Sequence, residues 1–380
     1  MAQIQGANGG FSMNSNSFQY FIALIDKTVA KKSDDRLGPV SASLDVTRVC
    51  NLNCTHCYNS RIGNNSPHTQ INTSKIMSIV DEMSDLQLLH LTVTGGEPFI
   101  RADLLDVIDY IKARTNMVLT VHTNGTPINR EKARFLGSIL SRQDIVQVSV
   151  EGVEKVHDSI RGKGSWKKAS NAIALLSECG VRVRVNLTPP RMNMDKICQY
   201  IDTLEGVDEF GATPMALFNQ DDLKYIPDPR TTYDIEKRVK QILGRKGIVY
   251  SGGISGAFCQ YVGVADKSDV VNQNELPPNT KSVNMQCNAG ISKFHISSEG
   301  SVFPCVFWQS DEFLIGSLME NTLSDIWKRW DTKKTLRELN NVVCGGCVFK
   351  NLCKGGCPGM AQSFFGTMNR QDPRCNMRVS

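Results

Sequence analysis

The sequence predicts an α/β fold, a partial (β/α)6 TIM barrel followed by a smaller cysteine-rich module. Three observations predict it. Six short strand-like runs alternate with six longer runs at helical spacing across residues 41–244, which is the rhythm of a parallel sheet or barrel. Six units fall short of the eight that close a full barrel. After about residue 245 the rhythm stops, and seven of the chain's 13 cysteines fall in its last hundred residues.

The elements follow in order. Residues 1–16 are rich in Asn, Gly and Ser and bury little apolar surface, so residues 1–40 read as a partly mobile extension. Within it, Phe18 to Lys32 has apolar residues at helical spacing. The strand runs are 41–47 (SASLDVT), 89–94 (LHLTVT), 117–121 (MVLTV), 145–150 (IVQVSV), 181–187 (VRVRVNL) and 208–213 (DEFGAT), each read from alternation or β-branched content. Helical patterns fit 73–85, 103–114, 129–140, 165–179, 194–204 and 231–244. The barrel is therefore placed at 41–245. Residues 246–286, rich in Gly, Ser, Asn and Pro, read as a bridge. Residues 287–380 form the last module, with a hairpin, Phe294–Ile296 and Val302–Phe303, around Ser298-Glu299-Gly300, and a helix near 323–338.

Composition narrows the function classes. Hydrophobic residues at 41% and charged residues at 21% allow a sizeable core and exclude wholesale disorder. No apolar run approaches the roughly 18–20 residues needed to span a bilayer. The stretch from Phe18 to Ile25 is short and lacks a basic lead, so neither signal peptide nor anchor is expected. The formal charge of +5 is mild and unclustered, which gives no footprint for nucleic acid. Heavy cysteine use without a secretory signal points to metal or redox chemistry in a reducing cytoplasm rather than to disulfides.

The spacing of the cysteines refines this. Val49-Cys50-Asn51-Leu52-Asn53-Cys54-Thr55-His56-Cys57-Tyr58 presents C-x3-C-x2-C directly after the first strand, at the sheet edge where parallel α/β folds build active sites. Thiolates suit iron–sulfur clusters and zinc. Zinc prefers paired C-x2-C units and a fourth ligand, and His56 is badly placed for that role. Three ligands on a four-iron cubane leave one iron open to a small molecule.

These residues resemble the motif of radical S-adenosylmethionine (SAM) enzymes. The resemblance extends to Gly95-Gly96-Glu97-Pro98 after the second strand, to His122-Thr123-Asn124-Gly125 ending the third and to Ser149-Val150-Glu151-Gly152 ending the fourth. It implies that Cys50, Cys54 and Cys57 hold a [4Fe-4S] cluster and that Gly95, Gly96, Glu97 and Pro98 hold the SAM amino group. It places Asn124, Ser149 and Glu151 among polar contacts to SAM, although many relatives carry Asp at the position of Glu151. His56 would contact adenine. Arg161 would pair with the SAM carboxylate, with a solvated arginine at a helix start as the bland reading. The two glycines also let backbone approach a ligand closely.

The later cysteines are similar to the SPASM extension, which carries auxiliary clusters. Cys287 and Cys305 flank Gly300, Cys344-x2-Cys347-x5-Cys353-x3-Cys357 follows, and Cys375 comes last. By resemblance Cys344, Cys347, Cys353 and Cys375 hold an outer [4Fe-4S] cluster, and Cys287, Cys305 and Cys357 an inner one. That makes three clusters with the first. Where some relatives place a fourth inner cysteine this chain has Lys293, so either one inner iron is open or Cys259 reaches it. A structural zinc ribbon is the competing reading of Cys344–Cys357. Cys179 and Cys198 read as small buried apolar residues.

The resemblance implies an enzyme that reductively cleaves SAM to a 5′-deoxyadenosyl radical and takes hydrogen from a substrate C–H bond, with net oxidation of the substrate by cross-linking or dehydrogenation. The expected substrate is a ribosomally made peptide. The alternative is a small metabolite, an aminosugar, nucleoside sugar or tetrapyrrole. The 49 residues before Cys50 are too few for the winged-helix domain that many peptide maturases fuse there, so a separate peptide-recognition protein is one possible partner. A reductant such as flavodoxin or ferredoxin is another. His122, Asp221 and Asp222, near strand ends, are the candidate proton acceptors. An iron–sulfur electron carrier is the non-enzyme reading, against which the Gly95–Pro98 turn argues.

Overall fold

A computed structural model describes residues 38–62, 70–189, 191–254, 287–330, 344, 347 and 353–375. The expected helix at 18–32, Cys259 and most of the bridge lie outside the described residues. So does the second half of the helix expected at 323–338.

All six expected βα units are present. Strands β1 (Ser41–Thr47), β2 (His90–Gly95), β3 (Val118–Thr123), β4 (Ile145–Ser149), β5 (Val183–Leu187) and β6 (Glu209–Ala212) pair in parallel, each with the next. A short α1 (Asn59–Ile62) precedes α2 (Thr73–Asp85). The crossovers continue with α3 (Leu104–Arg114), α4 (Arg130–Ile139), α5 (Glu154–Arg161), α6 (Ser165–Glu178), α7 (Ile197–Asp202) and α8 (Pro229–Lys246). Two departures stand out. α5 was not expected, and the helix expected at 194–204 begins as a 3-10 turn over Arg191–Lys196. A two-residue β7 (Val249–Tyr250) follows β6.

The C-terminal hairpin does not stand apart from the barrel. β8 (Lys293–Ile296), β9 (Ser301–Phe303) and β10 (Gly316–Ser317) extend the sheet to ten strands in the order β10-β9-β8-β1-β2-β3-β4-β5-β6-β7. β8 lies parallel to β1, with Ser41 opposite Lys293 and Ser43 opposite His295. The reason is the edge of β1, whose unpaired N–H and C=O groups need a partner. Two short helices, α9 (Leu323–Arg329) and α10 (Pro358–Phe365), complete the described module.

Strands buried on both faces of a parallel sheet usually read as continuous apolar runs. Here they alternate, and the register explains why. Leu44, Val93, Val121, Val148, Val185 and Ile296 point outward and pack on Ile76, Ile108, Leu136 and Leu176 of the helices. Each such side chain contributes about 1.5–3 kcal/mol on burial. The intervening residues, including Ser43, Asp45, Thr94, His122, Gln147 and Arg184, face inward. The interior is therefore polar, unlike the close-packed apolar filling of a closed eight-stranded barrel.

Candidate active site at the sheet's C-terminal edge

The first cysteine loop leaves β1 at its C-terminal end. Cys50 is exposed, and Cys54 and Cys57 are half-buried. The loop is stitched in place by backbone. Thr55 N–H donates to Ile160 C=O at 3.1 Å and Cys57 N–H to Cys54 C=O at 3.2 Å. The Gly95–Pro98 turn binds the other side, with Gly96 N–H on Thr47 C=O at 2.7 Å and Glu97 N–H on Val49 C=O at 2.9 Å. A Cβ on Gly95 would sit 2.2 Å from Thr47 O, and one on Gly96 2.1 Å from Val49 O. In this structure the close approach that demands both glycines is therefore to the end of β1.

Glu97 is fully buried. Its carboxylate accepts from Phe99 N–H at 3.1 Å, Thr123 Oγ1 at 2.8 Å and Asn124 N–H at 2.6 Å. It ties the ends of β2 and β3 together, and burial raises its pKa against those donors. Asn124 reaches back to the loop, its Nδ2 2.9 Å from Asn51 Oδ1 and 3.9 Å from Cys50 Sγ. Ser149 is half-buried at the end of β4.

Glu151 is the hub of the opposite wall. Its Oε1 accepts from Arg161 Nε at 2.9 Å and Nη2 at 2.5 Å and lies 3.1 Å from His56 Nε2; its Oε2 accepts from Thr188 N–H at 2.8 Å. Burial opposes its charge, yet the Arg161 guanidinium and His56 hold its pKa down to about 2. Arg161 sits in the last turn of α5 with a side chain only 12% exposed. It is not a solvated arginine at a helix start, because the buried carboxylate draws it inward. Its Nη1 lies 3.9 Å from Cys54 Sγ.

The three thiols feel one another electrostatically, and burial pushes Cys54 up to about 11 against the pull of Arg161. Bound iron would reverse that preference, since a cation holds coordinated thiols as thiolates. Three soft thiol donors on one loop that sense each other suit an iron–sulfur cluster. The buried Nδ1 of His56, which has no hydrogen-bond partner among the described residues, adds polar capacity for a ligand beside the loop.

The twelve described cysteines are all free thiols. Cys305, Cys357 and Cys287 also sense one another, and burial drives Cys305 up to about 12, opposed first by the Lys293 ammonium. The trio that the resemblance assigns to an inner cluster is thus coupled electrostatically, and Lys293 acts on the same Cys305. Asp372 organises this region, accepting from Cys357 N–H at 3.1 Å and pairing with Arg374 at 2.7 Å.

A family model of the radical SAM superfamily matches residues 44–204, and one of an iron–sulfur cluster-binding domain, SPASM, matches residues 287–348. The chain belongs to the radical SAM superfamily and carries a SPASM domain. It is an enzyme, with iron–sulfur clusters and SAM as cofactors. Mycofactocin maturase MftC of Mycolicibacterium smegmatis is 27% identical over 347 residues, covering 89% of this chain and 83% of the relative. The subtilosin biosynthesis protein AlbA of Bacillus subtilis is 28% identical, covering 84% and 67%. The AdoMet-dependent heme synthase of Methanosarcina barkeri is 24% identical, covering 90% and 97%. Among solved structures, Streptococcus suis SuiB superposes with a TM-score of 0.72 at 17% identity over 97% of this chain and 84% of that one.

Inside the radical SAM sheet, a cavity of about 270 Å³ is lined by His90, His122, His295, Tyr58, Thr94 and Lys293, among others. Of the candidate proton acceptors only His122 lines it. Asp221 is exposed. Asp222 is buried and committed, accepting from Phe218 N–H at 2.8 Å and from Arg61 at 2.7 Å. Sequence reasoning missed a pair across the SPASM junction. His295 Nε2 lies 3.4 Å from Asp45 Oδ2, and His295 Nδ1 lies 2.9 Å from Ser43 Oγ. Both are fully buried. The inward positions of the alternating strands were the available signal. Asn193, whose Nδ2 donates to Glu151 C=O, carried none.

Burial lowers His90 to about 4 and His122 to about 3, with Arg184 adding to both; burial and Arg161 lower His157 to about 4. All three stay neutral in the folded protein where an unfolded histidine protonates, near 6.5. Between those values the unfolded chain binds more protons, so stability is full above about pH 6.5 and falls towards pH 4. Each histidine contributes a slope of about 1.4 kcal/mol per pH unit. The urea midpoint should drop between about pH 7.5 and about pH 5.5, and His122→Gln should show a smaller drop. Equal drops in the two proteins would remove His122 from the account.

Proposed function

We propose that this enzyme reductively cleaves SAM and abstracts hydrogen from a C–H bond of a ribosomally made peptide, leaving the peptide oxidised by a cross-link or a dehydrogenation. The observation that carries this is the three-thiol loop at the C-terminal end of β1, with Asn124 reaching Cys50 Sγ and Arg161 reaching Cys54 Sγ. Three [4Fe-4S] clusters are assigned, on Cys50, Cys54 and Cys57, on Cys344, Cys347, Cys353 and Cys375, and on Cys287, Cys305 and Cys357. When bound, the clusters supply and remove the single electrons that the reaction needs, and SAM supplies the hydrogen-abstracting radical.

The chain's own residues bind, orient and shield. The Gly95–Pro98 turn, Asn124, Ser149, Glu151, Arg161 and His56 ring the first loop and offer the polar contacts that SAM requires. The outward apolar packing holds the strand ends rigid, which fixes reacting atoms at short range. A departing substrate proton has two destinations in the cavity. One is His122, a weak base here because burial and the Arg184 guanidinium disfavour its protonated form. The other is His295, whose Nε2 lies 3.4 Å from Asp45 Oδ2.

The peptide reading is favoured by the names of the relatives, a mycofactocin maturase and a subtilosin biosynthesis protein. SuiB, of similar fold, was solved bound to its precursor peptide SuiA. A small-metabolite substrate is the second reading, favoured by the heme synthase at 24% identity over almost all of both chains. Flavodoxin or ferredoxin is assigned as reductant, a separate protein as peptide-recognition partner, and the cytoplasm as location; among the described residues no helix is long and apolar enough to cross a membrane. The barrel is assigned to 41–245, the bridge to 246–286 and the auxiliary-cluster domain to 287–380.

The test is anaerobic reconstitution with iron, sulfide, SAM and dithionite. 5′-Deoxyadenosine should form, and deuterium from a labelled precursor peptide encoded near the gene should appear in it. Absence of 5′-deoxyadenosine above background removes the enzyme reading. Label arriving from a tetrapyrrole or sugar, and not from peptide, replaces the first substrate class by the second.

A further inference from the structure

We propose that Arg161 and Glu151 form a buried charge pair that sets the reduction potential of the cluster on Cys50, Cys54 and Cys57, Arg161 by acting directly on the Cys54 sulfur. The inference rests on the cluster assignment above but not on any contact with SAM.

Arg161 points two of its three nitrogens at Glu151 and the third at Cys54 Sγ, 3.9 Å away. Glu151 is fully buried and the Arg161 side chain nearly so, so their fields reach the loop with little screening by water. An N–H aimed at a cluster sulfur, and a positive charge beside it, favour the extra electron of the reduced state. A negative charge at the same distance disfavours it. The loop is bound firmly to this pair. Thr55 N–H is held by Ile160 C=O, the residue before Arg161, and His56, between Cys54 and Cys57, contacts the same Glu151 oxygen. Asn124 adds a second, uncharged N–H at Cys50 Sγ, also 3.9 Å away. The third thiol, Cys57, interacts electrostatically with the same guanidinium. Arg161 is thus a positioning and tuning residue for the cluster.

A role confined to clamping the loop makes a different prediction from a role in tuning. Losing either partner of a clamp loosens the loop in the same way. Losing either charge of a tuning pair moves the potential in opposite directions. Arg161→Gln keeps an N–H donor but leaves Glu151 uncompensated, and Glu151→Gln keeps an oxygen acceptor but leaves Arg161 uncompensated.

The experiment is an EPR-monitored redox titration of the reconstituted holoenzyme without SAM. The signal of interest is the one missing from protein with Cys50, Cys54 and Cys57 changed to Ala. Arg161→Gln should lower the reduced-to-oxidised ratio at fixed potential about tenfold, about 59 mV for one electron. Glu151→Gln should raise it by a similar factor, and Arg161→Lys should stay within about threefold of the parent. Shifts of the same sign, or none, overturn the proposal. If Arg161→Gln holds no cluster, the direction of the Glu151→Gln shift decides alone. A parent protein that lacks the signal altogether contradicts the cluster assignment instead of the tuning.

Discussion

Changing Cys50, Cys54 and Cys57 together to Ala will remove about four iron atoms per chain, one cubane's worth, and bring SAM cleavage down to the uncatalysed background. The loop owes its shape to backbone bonds from Ile160, Thr47 and Val49, so the thiols can be lost without unfolding the strand that precedes them. Cys198→Ala is the comparison. Cys198 is buried on the inner face of α7 and is 7% exposed, so its loss should leave both iron and cleavage unchanged. Iron and sulfide analysis beside a 5′-deoxyadenosine assay checks both. Full iron in the triple variant would place the first cluster elsewhere.

Gly95→Ala should be as damaging as losing the ligands, for a different reason. Gly95 sits at φ +134°, a backbone conformation that a side chain strains, and its added Cβ would meet Thr47 O at 2.2 Å. That oxygen already accepts Gly96 N–H at 2.7 Å. Neither backbone can give without breaking the junction of β1 and β2, so the cost should be about 3 kcal/mol or more. Gly244→Ala provides the opposite sign. It lies inside α8 with open space around its Cα, and should stabilise by about 0.5–1 kcal/mol. Urea midpoints of the two variants test the contrast. A Gly95→Ala protein with an unmoved midpoint and full iron would show that the turn has slack the distances deny.

Much of the fold was legible because local pattern and tertiary role agree. α2 runs over the residues its pattern marks, since Ile76, Ile79, Val80 and Met83 form one buried stripe and Asn72 caps its start, accepting from Lys75 N–H. The strands were legible because every second residue faces polar space. α5 was not, because its eight residues bury only Val156, His157 and Ile160, too short a stripe to rise above a loop. The cysteine motifs stood out by spacing, a local property, and marked the family. The pairing of β8 with β1 was not, because nothing in either strand names a partner 252 residues away. For the same reason the His295–Asp45 pair, one residue from each strand, was invisible. Glu97 carries a second layer that its turn does not announce: besides reading as a ligand group, its carboxylate accepts from donors at the end of β3 and in its own turn.

The lateral partner of β1 has a consequence for biogenesis. A ribosome adds roughly 5–20 residues per second, so β1, the strand that leads into the first thiol loop, waits about 13–50 s for β8 to be synthesised. During that interval its flank is open to other nascent chains, to holdase chaperones and to cluster-delivery proteins. Truncated chains that stop before Lys293 should accordingly aggregate in the cell rather than accumulate as a free-standing half.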